Sequence, residues 1–202
     1  MQSILDGYVA VATPSFVAAY DALSPEVIYE HVIDLFPKTP SKVADIGAGT
    51  GRDAAWFAEA GHQVLAVEPV GELREAGQVL HRSNRIFWLD DCLPNLPGIQ
   101  SGRHFDLVML CAVWQHLPNE DRALAVPRLA TLLAPGGQVV MSLRHGPGAK
   151  GRPVFPVSVD ATIDAATGCG LRVVRRCEAE SVQESNRANG VVWTWLVLQN
   201  VR

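Results

Sequence analysis

Gly47, Gly49 and Gly51 stand two apart in Asp45-Ile46-Gly47-Ala48-Gly49-Thr50-Gly51, directly after a short apolar run. Glycine permits positive φ and lets a ligand approach the backbone closely. A helix is expected just behind the loop. Its unpaired N–H groups would face the same space and suit an anionic group such as a carboxylate. Asp45 precedes the first glycine by two residues. The dinucleotide fingerprint G-x-G-x-x-G would put its third glycine at position 52, and position 52 is Arg. That spacing speaks against a nicotinamide oxidoreductase. A tight turn that binds nothing could carry the same glycines, so the neighbouring acids matter.

Glu68 ends the next apolar run, Val64-Leu65-Ala66-Val67. A carboxylate at that strand end lies beside the glycine loop and can accept two hydrogen bonds from ribose hydroxyls. Asp90-Asp91-Cys92 ends the third run. An acid there can accept from the exocyclic amine of adenine, and the following N–H can donate to a ring nitrogen. Asp91 is preferred over Asp90 because it directly precedes the small Cys92. Trp114-Gln115-His116 follows the fourth run and Arg144-His145 the fifth. Open α/β sheets bind ligands at these carboxyl ends. His116 and His145 are therefore the candidate bases, although His116 also reads as a structural histidine for the following helix. Arg144 suits an anionic acceptor, and Arg187 is expected to join it. Tyr8, Phe16 and Tyr20 precede the core and are expected to cover the substrate. Trp193 and Trp195 share one strand face and are expected to pack in the core.

The elements that must position these residues follow from periodicity. Residues 1–15 show little of it. Residues 16–36 predict two helical pieces, with a break where Ser24-Pro25-Glu26 reads as an N-cap and an N1 proline. Strands are expected at 43–46, 64–67, 85–89, 105–111 and 138–143. Helices are expected at 54–58, 71–81 and 119–133, the last capped by Asn119 and kinked at Pro127. Pro135-Gly136-Gly137 reads as a turn. After a Gly/Pro-rich stretch come a helix at 159–167 and strands at 171–177 and 191–198. No helix is expected between those two strands, so they should pair antiparallel. The strands are continuous apolar runs, which means a parallel sheet buried on both faces.

The chain has 202 residues, enough for one domain or one with a small appendage. Residues 1–40 are expected to form an N-terminal helical cap on a core spanning 41–202. Hydrophobic residues make up 48% and charged residues 19%, an ordinary globular balance. The net charge is −4, and no polybasic run occurs. A nucleic-acid partner is therefore not expected. Cys92, Cys111, Cys169 and Cys177 form no C-x-x-C pair, and no His lies at zinc-finger spacing from them. No metal site is expected, and a reducing compartment suits four free thiols. The N-terminus lacks the pattern of a signal peptide, and no apolar stretch reaches membrane-spanning length. A cytoplasmic monomer or homodimer is the expectation.

The stretches VADIGAGTGRDAAWFAEAGHQVLAVEP, WLDDCLPNLP, FDLVMLCAVWQHL and LLAPGGQVVMSLRH together resemble the class I S-adenosylmethionine-dependent methyltransferases, in that family's order. The resemblance covers roughly residues 41–202. It implies a Rossmann-like three-layer α/β sandwich, with a seven-stranded, mostly parallel sheet in the order 3-2-1-4-5-7-6 and strand 7 antiparallel. It implies S-adenosylmethionine as cofactor and S-adenosylhomocysteine as product. Gly47 and Gly49 would lie against the methionine part, and Arg52 would meet its carboxylate. Glu68 would hold the ribose, Asp91 and Cys92 the adenine, and Asp45, Ala48 and Pro69 would also bind the cofactor. The main chain at Cys111 would meet the methionine amino group. The chemistry implied is methyl transfer to a small-molecule acceptor, mainly by proximity and orientation. A non-catalytic S-adenosylmethionine-binding protein on the same fold is the alternative.

Overall fold

Every second residue of the central strands faces the same side. Here both sides are apolar, so the sheet divides the core in two. In the computed structural model, which describes residues 2–202, Ala44, Ile46, Leu65, Val67, Val108 and Leu110 pack on one face. Val43, Val64, Ala66, Leu107 and Met109 pack on the other. Burying each large aliphatic side chain stabilises the fold by about 1.5–3 kcal/mol, which makes these strands the best determined part of the chain.

The strands are β1 (Lys42–Ile46), β2 (Gln63–Val67), β3 (Ile86–Leu89), β4 (Phe105–Leu110), β5 (Leu133–His145), β6 (Leu171–Glu180) and β7 (Val192–Asn200). They form one seven-stranded sheet in the order β3-β2-β1-β4-β5-β7-β6. β1 pairs parallel with β2 and β4. β7 runs antiparallel to both β5 and β6. The expected fold class and strand order are therefore observed.

The helices are α1 (Gln2–Val9), α2 (Pro14–Asp21), α3 (Pro25–Ile28), α4 (Arg52–Glu59), α5 (Gly71–Leu80), α6 (Asn119–Leu132), α7 (Val159–Gly168) and α8 (Glu184–Ala188). None of the described helices is long and apolar enough to cross a membrane. α3 starts as its residues require: the Ser24 hydroxyl accepts from Val27 N, with Pro25 next in line.

Four local expectations differ from the structure. α1 falls where no periodicity was visible, because only Ile4 of its residues is buried and a single buried residue leaves no repeat to read. The connection between β6 and β7 carries α8, which is too short for a period to show. The N-cap of α6 is Pro118, not Asn119. Asn119 Oδ1 accepts from Arg122 instead. Pro135-Gly136-Gly137 does not end an element but bulges within β5. The partner of Phe105 is Leu133 and that of Leu107 is Gln138, so the intervening residues loop out of register.

Arg122 fastens the turn after β4. Its guanidinium donates to the carbonyls of Trp114, Phe155 and Pro156. The side chain is buried, so these carbonyls have little water to replace it. Arg122→Met is expected to lower stability by about 2–3 kcal/mol in urea denaturation. A loss well under 1 kcal/mol, roughly the worth of an exposed contact, would show that the clamp is not needed.

Candidate active site

The carboxyl ends of β1, β2, β3 and β4 open into one cleft of about 660 Å³. α1 and α2 cover it with Tyr8, Phe16 and Tyr20. The segment after β6 closes the far side with Gln183, Asn186 and Arg187.

The glycine loop follows β1. Gly47 N and Ala48 N both donate to Val67 O at 2.8 and 3.0 Å, so the loop leans on the end of β2. Gly47 has φ +75° and Gly49 φ +58°, a region that L side chains avoid. A Cβ on Gly47 would lie 2.5 Å from Val113 Cγ2. A Cβ on Gly49 would meet nothing within 4 Å, so the loop leaves open space there.

Glu68 stands beside that space and is buried. One carboxylate oxygen accepts from Gly49 N at 2.7 Å and the other from Val70 N at 2.8 Å. Burial raises its pKa, and those two hydrogen bonds oppose the rise. A carboxylate offers about four acceptor positions. Two are used, which leaves room for two hydroxyl donors. Pro69 lines the cleft next to it.

The two neighbouring acids separate. Asp91 lines the cleft, whereas Asp90 is exposed and paired with Arg74 at 2.9 Å. Asp91 Oδ1 accepts from Cys92 N and Oδ2 from Gly98 N, both at 2.8 Å. The Cys92 N–H expected to point at a ring nitrogen is thus already engaged, because the carboxylate folds back onto its own loop.

Arg52 grips Asp53 through Nε and Nη2, each at 2.8 Å, and Nη1 reaches Tyr20 O at 3.3 Å. Tyr29, fully buried, donates to Asp53 Oδ2 at 2.6 Å. Asp45 lies behind this group. Burial drives its carboxyl well above the usual range, and Asp53 adds to the rise. Its Oδ2 has no partner. The chain turns sharply after β4, with Ala112 at φ +58° and its N–H on Ser142 Oγ at 2.8 Å. Cys111, Ala112 and Val113 line the cleft there, and burial pushes the Cys111 thiol up to about 11.

The candidate bases fare differently. His116 lines the cleft. Its Nε2 meets Tyr8 Oη at 3.0 Å and its Nδ1 meets Pro153 O at 3.0 Å. His145 does not reach the cleft. Strand alternation puts it on the face of Met141 and Leu143, where its Nε2 meets Thr194 Oγ1 at 2.9 Å. Arg144 is on the opposite face with Ser142, but it is spent locally. It donates to Pro147 O and Asn186 Oδ1 and lies over the Trp193 ring at 5.4 Å. Arg187 turns to the carbonyls of Ser181 and Val182 rather than joining Arg144. Trp193 and Trp195, expected only in the core, both border the cleft. Their parity with Ser142 on the adjacent strand is a signal that sequence reasoning had no register to use.

A family described as a methyltransferase domain matches residues 43–137. An uncharacterized methyltransferase of Mycobacterium tuberculosis is 29% identical over 126 residues, 62% of this chain and 49% of that protein. A protein-L-isoaspartate O-methyltransferase of Dechloromonas aromatica is 32% identical over 110 residues, 52% of this chain and 45% of that protein. The chain thus spans about half the length of the curated relatives it matches. In fold it is similar to the Burkholderia thailandensis 1,6-didemethyltoxoflavin-N1-methyltransferase, whose structure holds 1,6-didemethyltoxoflavin and S-adenosylhomocysteine. The TM-score is 0.68 at 19% identity, over 100% of this chain and 85% of that one. The domain match runs from β1 into the bulge of β5 and takes in the ends of β1 to β4 that border the cleft; over that stretch the chain is similar to a methyltransferase domain.

Proposed function

We propose that this protein transfers a methyl group from S-adenosylmethionine to a small-molecule acceptor. The observation that carries this reading is the pairing of Glu68, with two acceptor positions to spare, and the open space at Gly49. A nucleoside with two vicinal hydroxyls fits such a donor-poor, backbone-lined corner. Asp91 borders the same half of the cleft and supports an adenine there. Arg52 retains unbonded N–H groups beside the loop and supports the amino-acid end. When bound, the cofactor supplies a methyl group on a positively charged sulfur, so the protein need not generate a strong electrophile.

The chain's own task is orientation and exclusion of water. Residues 1–40 serve as a cap in this reading. Asp21, at the end of α2, holds His81 at 2.8 Å and Thr50 at 3.3 Å, which ties the cap to the glycine-loop side of the cleft. The rest of the cleft is walled by aromatic and aliphatic side chains from α1, α2 and β7. A covered chamber of that kind suits a small acceptor rather than a polymer, and the net charge of −4 gives a nucleic acid little to bind. The small molecule in the Burkholderia thailandensis relative supports the same class.

Glu68→Gln is expected to weaken S-adenosylhomocysteine binding about 10–100-fold by calorimetry, a loss of about 1.4–2.8 kcal/mol. The deficit should vanish for an analogue that lacks both ribose hydroxyls. An equal deficit with that analogue would assign Glu68 to loop support alone.

Gly49→Ala should cost about 1–2 kcal/mol of stability from its positive φ. It should also reduce cofactor binding at least tenfold, because the new methyl group enters the open space. Normal binding in the folded variant would make the loop a turn only. Binding by the wild type without turnover of any acceptor would favour a non-catalytic binder.

A further inference from the structure

We propose that Tyr8 and His116 form a proton relay that deprotonates the methyl acceptor, so that the accepting atom enters as a hydroxyl or an ammonium group. The inference rests on the methyltransferase reading of the cleft. It starts from two hydrogen bonds that fix the state of one ring. Pro153 O can only accept, so His116 Nδ1 carries the proton in the 3.0 Å contact between them. In the neutral ring Nε2 is then a bare acceptor, and it takes the proton of Tyr8 Oη at 3.0 Å. The two rings meet edge to face, with centroids 5.5 Å apart. Tyr8 Oη has two lone pairs, with the Arg152 side chain as a neighbouring donor to one of them, and both residues line the cleft.

Their place in the cleft suits the role. Val113 and His116 follow β4, and Tyr8 comes down from α1. Glu68 and Asp91 occupy the ends of β2 and β3, so the pair belongs to the half left for the acceptor.

The charges around the pair favour a relay over a free base. Arg152 lies 5.1 Å over the Tyr8 ring. Arg152 and Arg144 both act on His116, as does Pro153 O, while Arg152, Arg144 and Glu68 act on Tyr8. Burial lowers the His116 pKa and raises that of Tyr8. His116 therefore stays neutral and able to accept below its ordinary titration range. A free Tyr8 phenolate is disfavoured, yet none is needed when one proton arrives as the other leaves.

The step balances. The acceptor's X–H bond breaks and its proton goes to Tyr8 Oη. The original Tyr8 proton goes to His116 Nε2. The electron pair of the X–H bond forms the X–C bond to the methyl group, and the former S–C pair remains on sulfur. The imidazolium then releases its proton to water when the cap opens. A thioether carries no such proton and gains nothing from the pair.

The test uses the intact protein, imidazole ¹⁵N NMR and methyl-labelled S-adenosylmethionine. NMR should show His116 protonated on Nδ1. Its titration midpoint should rise in Tyr8→Phe, because a hydrogen bond to the neutral ring is lost. A ring protonated on Nε2, or an unchanged midpoint, overturns the relay with no acceptor in hand. Phenols, enols, aliphatic alcohols, primary and secondary amines, tertiary amines and thioethers are then offered as acceptors. Turnover should fall on the proton-bearing classes. Tyr8→Phe should lower kcat about 100-fold or more, the scale of general-base catalysis, with KM changed less than threefold. His116→Gln should abolish the acidic limb of the pH–rate profile. Tyr8→Phe within threefold of wild-type kcat, or preferred turnover of thioethers, overturns the proposal. Both variants should bind S-adenosylhomocysteine within twofold of the wild type. If the wild type itself binds none, the methyltransferase reading fails rather than the relay.

Discussion

Glu68 joins three parts of the cleft that the sheet alone would leave independent. The sheet hydrogen-bonds β1 to β2, but the ladder stops at Ile46 and Val67. Beyond it the glycine loop must cross with its N–H groups unpaired. Gly47 and Ala48 solve this with Val67 O, and Gly49 solves it with the Glu68 carboxylate. The other Glu68 oxygen takes Val70 N just before α5. Hydrogen bonds to a charged group stabilise by about 1.5–3 kcal/mol each, enough to hold a positive-φ loop in one shape. A carboxylate used this way remains half satisfied, and the unsatisfied half faces the cleft. Loop support and the ligand recognition proposed for Glu68 thus draw on one buried acid.

A second group of acids shows how close charge can be packed when one member is neutral. Asp45, Asp53 and Glu68 lie within range of one another. Arg52 shares two hydrogen bonds with Asp53, and Tyr29 gives Asp53 a third. Asp45 takes the N–H of Ala54 at the start of α4, and its Oδ2 has no partner. Burial and its acidic neighbours then favour its protonated form. Asp53 stands in the first turn of α4, where a carboxylate complements the helix dipole. It also explains why the first turn of α4 needs no side-chain cap at Gly51.

The legible and illegible parts of this chain divide along physical lines. The parallel strands were legible because both faces are buried, so their apolar runs are uninterrupted. The Ser24-Pro25 helix start was legible because capping is local. Glu68 and Asp91 could be placed because a strand end fixes where its next residue stands. α1 and α8 could not be seen, since each is short and held by packing rather than by its own pattern. The bulge at Pro135-Gly136-Gly137 looked like a turn because its composition is that of a turn, and only register distinguishes the two. His145 is a different kind of error. Arg144 and His145 are adjacent, so on a strand they must face opposite ways. Treating the pair as loop residues gave both the same side. Once β5 extends to His145, Ser142 and Arg144 share the face of Trp193 and Trp195, and His145 leaves it.

The same division explains why the fold is plain in the sequence while the acceptor is not. The half of the cleft around Glu68 is made of backbone N–H groups, glycines and strand-end acids. Its geometry follows from the sheet order, and any chain that builds this sheet must solve the same loop problem. The other half is made of side chains from α1, α2, the turn at His116 and the β6–β7 connection. Those segments join the structure through contacts such as Tyr8 with His116 and Asp21 with His81. They lie far apart in sequence and carry no common period. Specificity on such a scaffold resides in attached segments that the fold tolerates rather than dictates. Tyr8 and His116 are separated by more than one hundred residues. Each is visible singly, Tyr8 as part of the cover and His116 as a candidate base, and only the placement of α1 over the turn that carries His116 turns them into a pair.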